Sequence, residues 1–364
     1  MIIETPCVVV NMDKVEQNLE RMAAVSKKSG CKLRPHVKTH KIPALAKLQM
    51  HYGACGITVA KLSEAETMAD YGLSDIFMAY PLIGKERITR AMELGKKVRL
   101  ICAVDCFESA EKISQICSSE GYTMEVRLEV DTGMHRSGIP YALAQEEAKK
   151  IASLPGIALQ GIFTFRGMIF DGEIDADRRK CGIQEGRLMA ELADQMRMAG
   201  IPIEDVSVGS TPTAEFCAEV PGVTEIRPGT YIFQDMMQVN TGVCGMENVA
   251  AEVWTQVVSS CKPEVTVIDC GCKSIATDVA QGVPPYYLKG FGHVIGHSEF
   301  TFARLSEEHG MLHKSGNSDV KVGDILRIIP NHICPTVNLY DEVYLMRGGE
   351  IVDKVRVYAR GKNT

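Results

Sequence analysis

Eight short apolar runs, alternating with stretches of helical periodicity, constrain this chain more than any other feature. They lie near residues 31–37, 56–60, 75–80, 98–104, 124–131, 158–165, 204–208 and 224–228. Between them sit amphipathic segments. SEAETMADYG (63–72) predicts a helix with Ser63 as its N-cap and Gly72 as its stop. DRRKCGIQEGRLMAELADQMRMAG (177–200) predicts a second, closed by Gly200. Eight strands alternating with helices over about two hundred residues predict an α/β fold, a parallel (β/α)8 TIM-type barrel. A doubly wound sheet is the runner-up.

Beyond about residue 240 the pattern changes. AEVWTQVVSS, EVTVIDC, DILRIIP and EVYLMRGGEIVDKVRVYARG read as strands, the last with a hairpin turn at Gly348-Gly349. A barrel over 11–240 is therefore expected, followed by a C-terminal β-rich domain over 241–364. The strand CVVV, which precedes a helix over 13–29, lies outside the barrel count. Residues 1–10 are assigned with it to the β-rich domain.

The net charge of −6, with no basic stripe, gives no reason to expect nucleic-acid binding. No apolar run is long enough to span a bilayer, and MIIETPCVVVN lacks the basic start of a signal peptide, so a cytoplasmic enzyme is expected. Thirteen scattered cysteines with no CxxC pair argue against a disulfide framework.

Four clusters carry candidate chemistry. RPHVKTHK (34–41) closes the first barrel strand, where side chains face a barrel's active site. A lysine there can form an imine with an aldehyde cofactor. A basic surface loop would show the same residues. VSVGSTPTAE (206–215) reads as a strand, a Gly-Ser-Thr turn and a helix starting near Pro212, a setting suited to phosphate. An ordinary capped turn looks similar. EIRPGTYIF (225–233) ends another strand with a glycine, and phosphate sites in barrels often follow strands seven and eight. In PNHICPTVN (330–338), His332 and Cys334 are two apart, so on an extended segment they share a side. Imidazole with thiolate favours zinc over magnesium. A buried His and Cys on a sheet edge is the plain alternative. A fifth stretch, DCGCKSIATD (269–278), offers Asp269, Lys273 and Asp278, or simply a polar turn.

Taken in order, TPCVVVNMDKVEQN, RPHVKTHK, VDTGMHRSG, VGSTPT, RPGTYIF, SEEHG and PNHICPTVN span the whole chain. Together they resemble the D-threonine aldolase and D-serine dehydratase group of fold-type III, alanine-racemase-like enzymes that use pyridoxal 5'-phosphate (PLP). The resemblance implies Lys38 as the Schiff-base lysine. It implies Ser210, Thr211, Gly229 and Thr230 at the phosphate, and Arg136 near the phenolic oxygen. It further implies His332 and Cys334 as a metal pair, for zinc before manganese or magnesium, and a homodimer acting on a small D-amino acid.

The implied activity is a metal-dependent lyase of D-3-hydroxy amino acids, cleaving them retro-aldol fashion to glycine and an aldehyde. The alternatives are a D-serine or D-3-hydroxyaspartate dehydratase, a metal-independent racemase, and a PLP carrier protein. Two departures bear on the choice. The second metal position is commonly Asp in aldolases and Cys in D-serine dehydratases; here it is Cys334. Phe165 and Arg166 stand where several members have Tyr and His.

Overall fold

The computed structural model describes residues 3–364 and resolves them into two compact units. One unit holds Arg21–Lys38, Pro43–Gly229 and Lys362–Thr364. The other holds the chain up to Glu20, Thr39–Ile42 and Thr230–Gly361.

The first unit is the barrel. Its eight parallel strands are Lys32–Leu33, Ile57–Val59, Asp75–Pro81, Arg99–Val104, Met124–Asp131, Ile157–Phe163, Asp205–Val208 and Glu225–Ile226, one for each apolar run. They pair in sequence order, and Glu225–Ile226 returns to Lys32–Leu33. A parallel bridge from His36 to Thr58 joins the first strand's end to the second strand. Phe77 and Phe163 pack edge to face in the interior, with centroids 5.0 Å apart, against Ile101 and Ala103.

The charged residues inside the apolar runs are explained by one network. Arg127 Nη1 lies 2.6 Å from Glu225 Oε1 and its Nη2 lies 2.7 Å from Asp205 Oδ2. Arg34 Nε lies 2.7 Å from Glu225 Oε2, and its Nη1 reaches Asp75. Strands one, three, five, seven and eight are thus tied across the barrel by buried ion pairs, which are strongly disruptive to break one partner at a time.

The helix boundaries follow local chemistry, with two corrections. Asn11 Oδ1 accepts the N–H groups of Asp13 and Lys14 and so starts the helix Met12–Ser29. Asp177 caps Arg178–Met198 through the N–H of Lys180, and Gly200 follows with φ +80°. Gly72, at φ +88°, ends Leu62–Asp70 as expected. Ser63 does not cap that helix. Lys61 holds the cap position, and the Ser63 hydroxyl donates to the Thr364 carbonyl at 2.6 Å. The helix expected from Pro212 starts later, at Ala214, and spans only Ala214–Cys217. The N–H groups of Thr213 and Ala214 both turn back to the Ser210 carbonyl, which makes 210–213 a turn.

The second unit is β-rich. Its sheet runs Phe300–Leu305, Gly310–Lys314, Val265–Ile268, Ala251–Lys262, Cys7–Asn11, Glu342–Arg347 and Glu350–Arg356. Ile325–Pro330 pairs with both Ala251–Lys262 and Gly292–Val294. Cys7–Asn11 inserts between two distant segments, antiparallel to one (Val8 opposite Val253) and parallel to the other (Val9 opposite Tyr344). Gly348 and Gly349, at φ +57° and +86°, make the hairpin turn. All thirteen cysteines are free thiols. Among the described residues, no helix is long and apolar enough to cross a membrane.

Candidate active site

In the barrel unit, Lys38 sits in the single turn Val37–Thr39, past the end of the first strand. Val37 is fully buried, while Lys38 is exposed, so its amine is reachable by an aldehyde. Its Nζ lies 5.7 Å from the Phe165 ring centroid. The Arg136 guanidinium lies 4.9 Å from the same centroid. One aromatic ring therefore gathers two cations that are far apart in sequence, each contact favourable through the ring quadrupole. The loop carrying Arg136 is shaped by Asp131, whose Oδ1 accepts the N–H groups of Gly133, Met134 and His135.

The turn after the seventh strand holds Ser210 and Thr211, both nearly buried. Gly209 precedes them at φ +82°, and a Cβ there would sit 3.0 Å from Ala214 Cα, so glycine is required. Ser210 Oγ is 3.1 Å from Thr213 Oγ1. Gly229, buried, ends the barrel unit's share of this part of the chain. Sequence reasoning missed Arg227, a buried cation that donates to Ser207 Oγ at 2.6 Å and to the Thr164 carbonyl at 2.5 Å. Burial lowers its pKa to about 10. It lies inside the RPGT stretch, but spacing gave it no partner.

In the β-rich unit, the expected extended His-x-Cys segment is instead a cap and a first helical turn. His332 occupies the N-cap of Ile333–Val337, with φ −132° and ψ 108°, and Cys334 lies in the first turn. Asp235 explains the change. It is fully buried, and its Oδ2 accepts the Ile333 N–H at 3.1 Å while its Oδ1 accepts that of Gln238. One carboxylate thus caps two helices; burial raises its pKa to about 6.

His332 and Cys334 still lie close enough for the charge of each to act on the other. Cys334 Sγ lies 3.2 Å from Thr39 Oγ1 and 3.5 Å from Thr230 Oγ1. Burial pushes the thiol up, but the His332 charge and the bonds from His332 and Thr39 outweigh it, and its pKa falls below the ordinary value. Burial likewise opposes the imidazolium, but the Cys334 thiolate and the Asp278 carboxylate raise His332 to about 11. His332 Nδ1 is 2.7 Å from Asp278 Oδ2. Asp278, left open as a polar turn residue, therefore belongs to this cluster; nothing in the spacing of 278 and 332 signals it. The other two residues of that stretch have structural partners. Asp269 accepts from Thr5 and Thr255, and Lys273 pairs with Glu308.

The donor set fits a soft divalent ion: a cysteine sulfur beside an imidazole oriented by a carboxylate. Among the described residues, no group of three or more His, Cys, Asp or Glu side chains is placed to hold a metal ion. The exposed Lys38 amine and the hydroxyl-bearing turn at 210–211 fit a phosphorylated aldehyde.

Residues 10–236 match the family model of the alanine racemase N-terminal domain, and residues 250–346 match that of a serine dehydratase domain. The D-threo-3-hydroxyaspartate dehydratase of Delftia sp. (strain HT23) is 32% identical, over 92% of each chain. Its solved structure superposes with a TM-score of 0.90 over 97% of both chains. A cysteine-to-alanine variant of that enzyme has been solved in a metal-free form. The D-threonine aldolase of an Arthrobacter species is 29% identical, covering 99% of this chain and 93% of that protein. With the match spanning both units, the chain belongs to the alanine-racemase-like, fold-type III family of PLP enzymes, in the branch of D-threonine aldolases and D-3-hydroxy amino acid dehydratases.

Proposed function

We propose that the chain is a PLP- and metal-dependent lyase of D-3-hydroxy amino acids, cleaving them to glycine and an aldehyde. The observation that carries this is the pairing of Cys334, set between the Thr39 and Thr230 hydroxyls, with His332, whose ring is oriented by Asp278, an arrangement a racemase or a PLP carrier has no need of. The match of residues 250–346 to a dehydratase domain also argues against a carrier. Lys38 forms the imine; Ser210, Thr211, Gly229 and Thr230 hold the phosphate; Arg136 attends the phenolic oxygen. His332 and Cys334 take one divalent ion, zinc before manganese or magnesium. When bound, PLP supplies an electron sink and the metal a Lewis acid for the substrate's β-hydroxyl.

The chain's own residues then do simple things. Lys38 Nζ accepts or returns a proton at the substrate's α-carbon. Asp278 fixes the His332 ring through Nδ1, which would leave Nε2 to hold the ion. Thr39 and Thr230 stabilise the Cys334 thiolate with their hydroxyls. The protein acts as a homodimer in the cytoplasm.

A second reading, dehydration to a keto acid and ammonia, is favoured by one specific observation: the second metal position is a cysteine. It uses the same residues, with Lys38 taking the α-proton. Product analysis with D-threonine, D-serine and D-3-hydroxyaspartate separates the two. Glycine from any of them supports cleavage; keto acid and ammonia without glycine replace it with dehydration. Activity with D-alanine alone, indifferent to chelators, would reject both.

A further inference from the structure

Arg166 stands at one of the departures from the family pattern, and its surroundings are unusual. Its side chain is buried, at 1% exposure. Nη2 donates to the Cys181 carbonyl at 2.9 Å, but Nε and Nη1 have no hydrogen-bond partner. Nearby is Glu185, at 0% exposure. Its Oε1 accepts the Gly209 N–H at 3.0 Å, and its Oε2 has no partner. Burial raises the Glu185 carboxyl above its ordinary value, with Arg166 acting in the opposite direction.

The backbone next to Arg166 runs against the turn after the seventh strand. Gly167, next to Arg166, has φ +64°, and a Cβ there would lie 3.6 Å from Ser210 Oγ. Glu185 holds Gly209 on the other side of the same turn. Phe165, one residue earlier, turns its ring to Lys38 and Arg136, while Arg166 reaches the start of the helix Arg178–Met198. A buried guanidinium with two open donors is costly unless an anion offsets its charge.

We propose that Arg166 is a positioning residue for the cofactor, a buried cation behind the Ser210–Thr211 turn that counters the charge of the phosphate bound there. The inference rests on the reading of that turn as the phosphate seat. Arg166 acts on the phosphate and not on the aldehyde end, so its effect is a selective one.

The test is a titration of the apo protein with PLP and with pyridoxal, which lacks the phosphate, followed by absorbance. In the wild type PLP binds far more tightly than pyridoxal. Arg166→Met should reduce that preference at least ten-fold or so, almost wholly through PLP, in line with hydrogen bonds to charged groups. Arg166→Lys keeps a cation but not the open donor fork, and should reduce it about three-fold. A purely structural role would weaken both ligands together and leave the ratio unchanged, which overturns the proposal. If Arg166→Met does not fold, Arg166→Gln, of similar length and without the charge, takes its place, and a wild-type ratio there overturns the proposal equally. A wild type that binds both ligands alike overturns the phosphate seat and this inference with it.

Discussion

The turn at 209–211 and the cluster at 332–334 were both read from short motifs, and the chain builds them in different ways. The first depends on local geometry. Gly209 takes a positive φ, the Ser210 carbonyl closes the turn, and strand order delivers it to the end of the seventh strand. The second depends on partners from three distant segments. Asp235 caps its helix, Asp278 holds its imidazole, and Thr39 and Thr230 flank its thiol. The turn has one remote hydrogen-bond partner of its own, Glu185, whereas the His332–Cys334 pair is exposed to substitution at several remote positions. Lys38 and Thr39 are consecutive in the chain, as are Gly229 and Thr230, so the two sites draw on neighbouring residues.

The largest contrast should come from Lys38. Lys38→Ala should reduce turnover by roughly 10²–10⁴-fold or more, the range for a positioned acid–base group. It should also abolish the visible absorbance of the imine. Borohydride reduction of the wild type followed by peptide mapping checks the assignment, and label on Lys41 or Lys61 would remove it. Metal content should not change, which keeps the two sites separable.

A second test concerns the barrel's framework. Glu225 is fully buried; burial raises its pKa, but Arg127 and Arg34 outweigh this and hold the carboxyl far below the usual range. A depressed pKa means that its stabilisation is complete above the unfolded value, near 4, and is lost only as pH falls through the folded value. Glu225→Gln should cost about 3–5 kcal/mol at neutral pH, as for breaking a buried pair. The variant should lose less stability than the wild type on acidification. Denaturant unfolding across pH measures both, and equal acid sensitivity would contradict this role.

The smallest effect should be at Asp278. Asp278→Asn removes the carboxylate from His332 Nδ1 and should weaken metal binding about 10–100-fold, the usual cost of losing such a partner. Thermal stability and PLP absorbance should stay near wild type. Competition with a metallochromic chelator reads the affinity, and unchanged binding would show that Asp278 does not orient the ligand.

These differences also explain what was legible in the sequence. All eight barrel strands were, because a strand buried on both faces leaves an apolar run, and runs such as LICAV leave little choice. Arg127 and Glu225 sat inside such runs without spoiling them, since each finds its counter-charge across the barrel. Helix ends were less legible. Ser63 had the right chemistry for a cap, but its hydroxyl is taken by Thr364; Pro212 had the right chemistry for a helix start, but the Ser210 carbonyl delays it. The conformation of 332–334 was not legible, because Asp235, almost a hundred positions away in the chain, supplies the acceptor that turns it into a helix. Local rules find turns and strands; long-range hydrogen bonds leave no periodicity to read.

On the proposed reading, cofactor and metal are held by different residues and the lyase reaction needs both. Exhaustive chelation of the PLP-loaded protein, with metal content, imine absorbance and turnover of a D-3-hydroxy amino acid followed together, separates the two. Metal and turnover should vanish together while the absorbance stays, added zinc or manganese should restore turnover, and Cys334→Ala should reproduce the chelated state. Full turnover in metal-free protein would contradict that reading.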